Sequence, residues 1–498
     1  VKHRQILLNA LTTVAQLIGN AAALFFLYRF LVRSVGIERL GVWSLLLATT
    51  SLVTLANQGL SMSVVKYVAK YAGRGSTAEV SLLIQTALLS AALILAALSL
   101  ALYPAARFAL SAILPASRLA EALAILPLAL VSLWFNVLAT VVQAGIAGHE
   151  LITICNFIEF AGSLSYLALA FLLVPRHGLI GLAAAQAAQA VFGLLAAWHL
   201  LRRRVPELPL IPCHWSRAHW KEMAVYGAHF QWIAICQSVR EPVTKALLAK
   251  FAGLAYTGFY DMAARLVVTL RELIVQSNQV LVPTISNLHE RDRAAIPRIY
   301  RDSYRLVFFL AVPSLAVLVV ASPLISTIWL GHYEPLFVRF VALLSVGWLV
   351  NVLCNPAYVV DLGTGDLRWV SVGCAVTAVL NVSLGLAAGK LAGGVAIVAA
   401  SVVSLITGYM IVLIAYHRQA HESFRMLLPR ESRAILALSL AGAFVVWPLL
   451  YSASARAAAS SITMASAAIA LATLIAFLMW THPIRRRLFQ WFVNGLPT

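Results

Sequence analysis

The stretch from Gln237 to Gln279, QSVREPVTKALLAKFAGLAYTGFYDMAARLVVTLRELIVQSNQ, is apolar enough to form two consecutive membrane-spanning helices. It nevertheless carries Arg240, Glu241, Lys245, Asp261, Arg265, Arg271 and Glu272. An Arg, Lys or Asp at the centre of a membrane helix costs about 2.5 to 3.5 kcal/mol even on the mildest scale, so such groups face a polar interior and mark function. The stretch predicts a polar lumen inside a membrane protein.

The composition agrees. The 498 residues are 61% hydrophobic and 11% charged, and a mean hydropathy of +0.88 lies far from that of a soluble domain. A formal net charge of +19 would suit a nucleic-acid partner. The basic residues, however, recur in short clusters between long apolar runs, which is the pattern of loops that set membrane topology, so no nucleic acid is expected. Cys155, Cys213, Cys236, Cys354 and Cys374 are scattered without a CxxC pair, so neither a disulfide framework nor a zinc site is indicated. His417 and His421 lack the glutamate of HExxH, and no GxxxxGK[ST] occurs. No metal or cofactor is expected.

At about 20 apolar residues per span, helices are predicted near 9–33, 40–65, 78–101, 122–147, 151–174 and 178–201, then near 225–250, 256–285, 304–330, 334–362, 367–388 and 392–416. A final pair falls near 432–451 and 461–481, making about 14. The fold class is an all-α polytopic membrane protein: an N-lobe over 1–201, a basic linker over 202–222 broken by Pro206, Pro209 and Pro212, a C-lobe over 223–417, a loop over 418–431, and a last helix pair with its tail over 432–498. The side holding the N-terminus collects more than twice as many Lys and Arg residues as the other, which makes it, and both termini, cytoplasmic.

An internal repeat supports the two lobes. Arg33, Gly36, Gly41 and Trp43 become Lys250, Gly253, Gly258 and Tyr260 on adding 217. Asn136, Thr140 and Gln143 become Asn351, Asn355 and Tyr358 on adding 215. Near-constant offsets argue for a duplicated six-helix unit, and an even helix number makes the repeats parallel, with a shared pseudo-symmetric cleft as the expected substrate site.

Helical projection sorts the polar residues. Asp261, Arg265, Glu272, Gln276 and Gln279 fall within about 60° on one helix, with Arg271 roughly 80° to the side. Arg240, Glu241 and Lys245 cover a wider arc of about 140° around Pro242. Ion pairing that only fixes packing competes for the first set, since Asp261 and Arg265 are four residues apart. Snorkelling toward the interface competes for Arg240 and Lys245. Glu159 stands alone at membrane depth and is a candidate proton or cation site, as are Asp261 and Glu272; a buried hydrogen bond is the plainer alternative for Glu159. Asn136, Gln143, Asn351, Asn355, Tyr358, Gln276 and Gln279 are candidates for a polar lumen, against the plainer role of joining helices. Trp215 and Trp220 beside basic residues suit anionic membrane lipid.

The phrases FLVRSVGIERLGVWSLLL and QGLSMSVVKYVAKY in residues 30–71, TGFYDMAARL (257–266), PTISNL (283–288) and NPAYVVDLGTGDLRW (355–369) resemble Wzx-type polysaccharide transporters of the multidrug/oligosaccharidyl-lipid/polysaccharide (MOP) flippase superfamily, whose fold is shared with MATE exporters. The resemblance covers the first twelve spans. It implies two six-helix lobes and alternating access in a bacterial inner membrane. The implied substrate is an undecaprenyl-pyrophosphate-linked oligosaccharide, an O-antigen, exopolysaccharide or capsule repeat unit, moved from the cytoplasmic to the periplasmic leaflet. Proton or sodium coupling and a polymerase or export partner go with it. By position, Arg265 and Arg271 match the family's cationic lumen best, with Lys245 and Arg240 as additions. The first helix departs from the family by carrying Asn and Gln where arginine is usual. A cation-coupled multidrug exporter of the same fold is the alternative, and a membrane glycan polymerase or ligase a more remote one, because no long external loop or acid/base constellation occurs.

Overall fold

The computed structural model describes residues 2–149, 151–279, 281, 285, 288–289, 292–455 and 460–484, with 2–11, 50–58, 226, 228–238, 277, 279 and 454–455 described in backbone only. Among these the chain is helical: α1 Lys2–Ser34, α2 Ile37–Gly73, α3 Thr77–Ile113, α4 Ala116–Gly148, α5 Ile152–Arg204, α6 Arg217–Phe251, α7 Leu254–Gln279, α8 Ile296–Leu330, α9 Pro335–Thr364, α10 Arg368–Leu391, α11 Gly393–Gln419, α12 Arg433–Ala441, α13 Trp447–Ala455 and α14 Ser461–Thr481. A π-helical turn, Gly442–Val446, joins α12 to α13 into one pass.

α5 counts as two passes. Gly178 leaves helical geometry at φ 54° and ψ −134°, and a Cβ on Gly181 would lie 2.5 Å from the Leu173 carbonyl oxygen. An unbroken helix would separate those residues by about 12 Å, so the chain folds back there, where 151–174 and 178–201 were expected to part. The described residues therefore make about fourteen passes, ten of the helical segments being long and apolar enough by composition alone. α2, α6 and α7 fall outside that set, and α6 and α7 hold the charged stretch.

The chain divides into two compact units, Val1–Gly258 and Phe259–Thr498. In the first, α2 packs on α3, α4 and α6, while α1 and α4 pack on α5. Glycines permit the closest approaches. A Cβ on Gly227 of α6 would meet the Gly59 carbonyl oxygen of α2 at 2.9 Å, and Ser63 donates to the Met223 carbonyl oxygen at 2.9 Å. The repeat is visible in the backbone: Gly36 and Gly253, each just before a helix, adopt φ of 85° and 99°, which only glycine adopts freely. A Cβ on Gly41 would collide with the Leu254 carbonyl oxygen, and one on Gly258 would lie 2.7 Å from that of Ile37. Ile37 and Leu254 are themselves 217 apart, so the duplicated glycines make a reciprocal contact.

Residues 205–216, between α5 and α6, are fastened along α3 by its side chains. Ser81 donates to the Glu207 carbonyl oxygen, Gln85 Oε1 accepts from the amides of Cys213 and His214, Thr86 Oγ1 accepts from the Ser216 amide, and Trp215 Nε1 donates to Ser90 Oγ at 2.9 Å. Backbone groups that would otherwise stay unpaired are thereby satisfied.

In the second unit, α8 packs on α9, and α11 on α9 and α10. Tyr300, Tyr304, Phe308, Cys354 and Tyr416 form one buried cluster, in which the Tyr300 hydroxyl lies 2.7 Å from His417 Nε2. The C-terminal pair belongs to this unit. Val320 of α8 packs with Leu450, Met464, Leu471 and Ile475, and His482 ties Ser432 Oγ and the Glu431 carbonyl oxygen to the end of α14.

Candidate functional site

Each unit carries its own polar centre. In the first, a cavity of about 250 Å³ is lined by Asn20 of α1, Asn136, Thr140 and Gln143 of α4, Glu159 and Ser163 of the first pass of α5, and Gln189 of the second. Gln16 Nε2 donates to Glu159 Oε2 at 2.8 Å, and Asn156 Nδ2 donates to the hydroxyls of Thr12 and Thr13 at 3.2 and 2.9 Å. Asn20 Oδ1 is buried and, among the described residues, has no hydrogen-bond partner. Glu159 is the one charged group among these lining residues, and the unsatisfied Asn20 Oδ1 beside it calls for a donor or a cation. Asn136, Gln143 and Glu159 thus meet in one place.

On α6, which is continuous through Pro242, Lys245 Nζ lies 2.7 Å from Glu241 Oε1. Lys245 is 3% exposed and Arg240 8%. The helical turn explains the pair: residues four apart face the same way. Gln237 lies outside the residues whose side chains are described.

In the second unit Arg265 Nε donates to Asp261 Oδ2 at 3.1 Å. Asp261 is 1% exposed, so the local i,i+4 pair forms around a fully buried carboxylate. Arg271 is placed differently. Its Nε donates across to Asn351 Oδ1 of α9 at 3.0 Å, and its guanidinium lies over the Trp348 ring, 5.3 Å from the centroid. Among the described residues its two terminal nitrogens have no hydrogen-bond partner. Asn351 is 2% exposed, and packing holds the acceptor in place. Two turns along α7, Asn278 Nδ2 donates to Asn355 Oδ1 at 3.3 Å and Asn278 Oδ1 accepts from Ser303 Oγ of α8 at 2.9 Å. Two polar rungs therefore tie α7 to α9. Glu272 and Tyr358 are half-buried and Gln276 is exposed; the Gln279 side chain lies outside the described residues.

Sequence reasoning missed Trp348, Asn278, Ser303 and Asp361. Trp348 and Asn351 are three apart and Asn351 and Asn355 four, a spacing that already put them on one face of α9. Asp361, 7% exposed, sits in the last turn of the same helix, and its signal was a single carboxylate in an apolar run.

The geometry is that of an all-α membrane protein of about fourteen passes with a polar centre in each unit. The chain is similar to an inward-facing multidrug-resistance MATE family transporter of the MOP superfamily, at 14% identity and a TM-score of 0.71 over 80% of this chain and 94% of that one. It is also similar to the lipid II flippase MurJ in an inward closed conformation, at 12% identity and a TM-score of 0.72 over 95% and 99%. A MOP superfamily transporter from Pyrococcus furiosus, described as having a binding pocket of reverse polarity, matches at 12% identity and 0.58 over 83% and 95%. These likenesses show the fold. Residues 9–289, more than half of the chain, match the polysaccharide biosynthesis protein family, and the protein belongs to it. No curated protein matches the chain.

Proposed function

We propose that the protein flips an undecaprenyl-pyrophosphate-linked oligosaccharide from the cytoplasmic to the periplasmic leaflet of a bacterial inner membrane by alternating access, with both termini cytoplasmic. The observation that carries this reading is Arg271. Its Nε is committed to Asn351 and its face to Trp348, so the guanidinium is oriented in advance, and the fork of its two terminal nitrogens has no hydrogen-bond partner among the described residues. That fork matches the paired oxygens of a phosphate or pyrophosphate. Arg265, Lys245 and Arg240 are further candidates for phosphate contact, Arg265 and Lys245 each already ion-paired, with Asp261 and Glu241. Asn355, Tyr358, Gln276 and Gln279 are assigned to sugar hydroxyls.

Coupling to a proton or sodium ion is assigned first to Glu159, whose cavity offers oxygen acceptors and no cation, with Asp261 and Glu272 as the other carboxylates of the mechanism. An exported glycan unit would pass to a polymerase. The cationic-drug exporter of similar fold is the competing reading, and an arginine in contact with the substrate would disfavour a cationic one.

The test is reconstitution of the purified protein into vesicles. Lipid-linked oligosaccharide should become accessible to an impermeant glycan-modifying enzyme on the far side, and a cationic drug should neither be transported nor compete. Drug transport without glycan transfer would replace this function with the exporter.

A further inference from the structure

The segment between α5 and α6 presents a surface that the chain itself leaves uncovered. Val205 and Leu208 are 0% and 1% exposed and root it in the first unit, whereas Leu210, Ile211 and Trp215 are 69%, 68% and 50% exposed. These three project from a segment that cannot drift, because Gln85, Thr86 and Ser90 hold its backbone and the Trp215 indole nitrogen, and Trp198 Nε1 donates to the Leu210 carbonyl oxygen at 3.0 Å. Its supports, α3 and α5, are long apolar helices of membrane-spanning composition. Arg203, Arg204, Arg217 and Lys221 are exposed around it. The nearby carboxylates are occupied: Glu207 Oε1 accepts from Thr77 Oγ1 at 2.6 Å, and Glu222 accepts from Lys70 and Tyr71.

We infer that this strap is a binding site for anionic phospholipid. Leu210, Ile211 and the exposed face of Trp215 enter the acyl-chain boundary beside α3 and α5, and Arg203, Arg204, Arg217 and Lys221 hold the phosphate of an anionic headgroup. Apolar groups that need hydrocarbon, rimmed by cations that need a counter-charge, have the chemistry of an interfacial anchor. An indole whose N–H is already paired and whose ring remains free is suited to that depth. A fixed strap gives the site a geometry that a slack polybasic loop lacks, so the preference should be for a headgroup at this place and not for negative charge in general. This inference is independent of what the protein transports.

The test uses the full chain in phosphatidylcholine vesicles carrying a minority of either brominated phosphatidylglycerol or brominated phosphatidylcholine. The Trp215 signal is isolated as the difference from Trp215→Phe. Brominated phosphatidylglycerol should quench Trp215 more strongly than the same fraction of brominated phosphatidylcholine, because each surface cation near anionic lipid is worth about fivefold in preference. The variant R203Q/R204Q/R217Q/K221Q should abolish the difference while leaving quenching by both lipids, and R203K/R204K/R217K should retain it, which separates lost charge from lost fold. Equal quenching of wild-type Trp215 by the two lipids would overturn the headgroup assignment, and absence of quenching by either would remove the strap from the bilayer.

Discussion

Arg271 and Asp261 lie less than three turns apart on α7 and illustrate two ways of keeping charge inside a membrane. Asp261 is neutralised by its own helix through Arg265, whereas Arg271 reaches another helix through Nε and, among the described residues, its two terminal nitrogens have no hydrogen-bond partner. Replacing Asn351 by Leu removes the acceptor for a charged donor, worth about 1.5 to 3 kcal/mol in the general case. Binding of a pyrophosphate-bearing lipid should fall about tenfold or more with Arg271 still present, as read by a binding titration; unchanged affinity would mean that Arg271 needs no such support. Glu159→Gln should preserve the hydrogen bond with Gln16 by shape while removing the charge. Ion-gradient-driven transport should then be lost while exchange at equal ion concentrations persists. The Asp261–Arg265 pair was legible in the sequence from its four-residue spacing, but the partners that Arg271 meets on another helix were not. A helical wheel placed Arg271 to the side of the polar stripe of α7, because the wheel has no knowledge of which neighbour that side meets. Trp348 reads as one more apolar residue of its span until the guanidinium is seen above it.

Elements are held by contacts that tolerate little added volume. Gly227 and Gly59 bring α6 against α2 with backbone in contact. Gly227→Ala adds a methyl group where none fits and should destabilise by about 1 to 3 kcal/mol, detected as a lower melting temperature in detergent. Beyond this crossing, outside the expected spans, Glu222 accepts from Lys70 Nζ at 2.8 Å and from the Tyr71 hydroxyl at 2.9 Å. Burial alone would raise the Glu222 carboxyl, but the hydrogen bonds from Lys70 and Tyr71 and the Lys70 charge outweigh it and hold it below its ordinary range. Burial and the Glu222 contact push the Tyr71 hydroxyl up to about 12. The fold favours charged Glu222, so its contribution is complete above the ordinary glutamate value of about 4.3 and is lost as pH falls through that value and below it. The groups are partly exposed, so the effect is at most about 1 kcal/mol. Glu222→Gln should lower the melting temperature slightly at pH 7, with an offset that shrinks as pH falls below the ordinary glutamate value of about 4.3; an offset that does not change with pH would contradict the assignment.

The positions of the helices were readable from hydropathy, since span length and apolar content are set by the bilayer. The break at Gly178 was readable from span length, which parted 151–174 from 178–201. The docking of residues 205–216 was not inferred, although Thr77, Ser81, Gln85 and Ser90 form a polar stripe at near-helical spacing on α3 that announces a polar neighbour.

For the whole molecule, the fold agrees with an all-α polytopic protein of about fourteen passes, and its first compact unit ends at Gly258, after seven passes. The repeat was readable because glycines at Gly36, Gly41, Gly253 and Gly258 carry backbone requirements that substitution cannot easily meet. Orientation is the part that charge alone assigns. Cysteines placed at the exposed positions His332 and Asp366, at opposite ends of α9, should react with an impermeant thiol reagent from the periplasmic and cytoplasmic sides respectively. The reverse pattern would invert the proposed direction of transport.

The most direct measurement is the rate at which reconstituted protein brings undecaprenyl-pyrophosphate-linked oligosaccharide to the far leaflet, compared among wild type, Arg271→Lys and Arg271→Ala. Wild type should transfer it, Arg271→Lys should retain a reduced rate because a point charge replaces a fork, and Arg271→Ala should lose at least about tenfold. Transfer by Arg271→Ala at the wild-type rate would contradict the role given to Arg271 and, with it, the reading of the site as a pyrophosphate clamp.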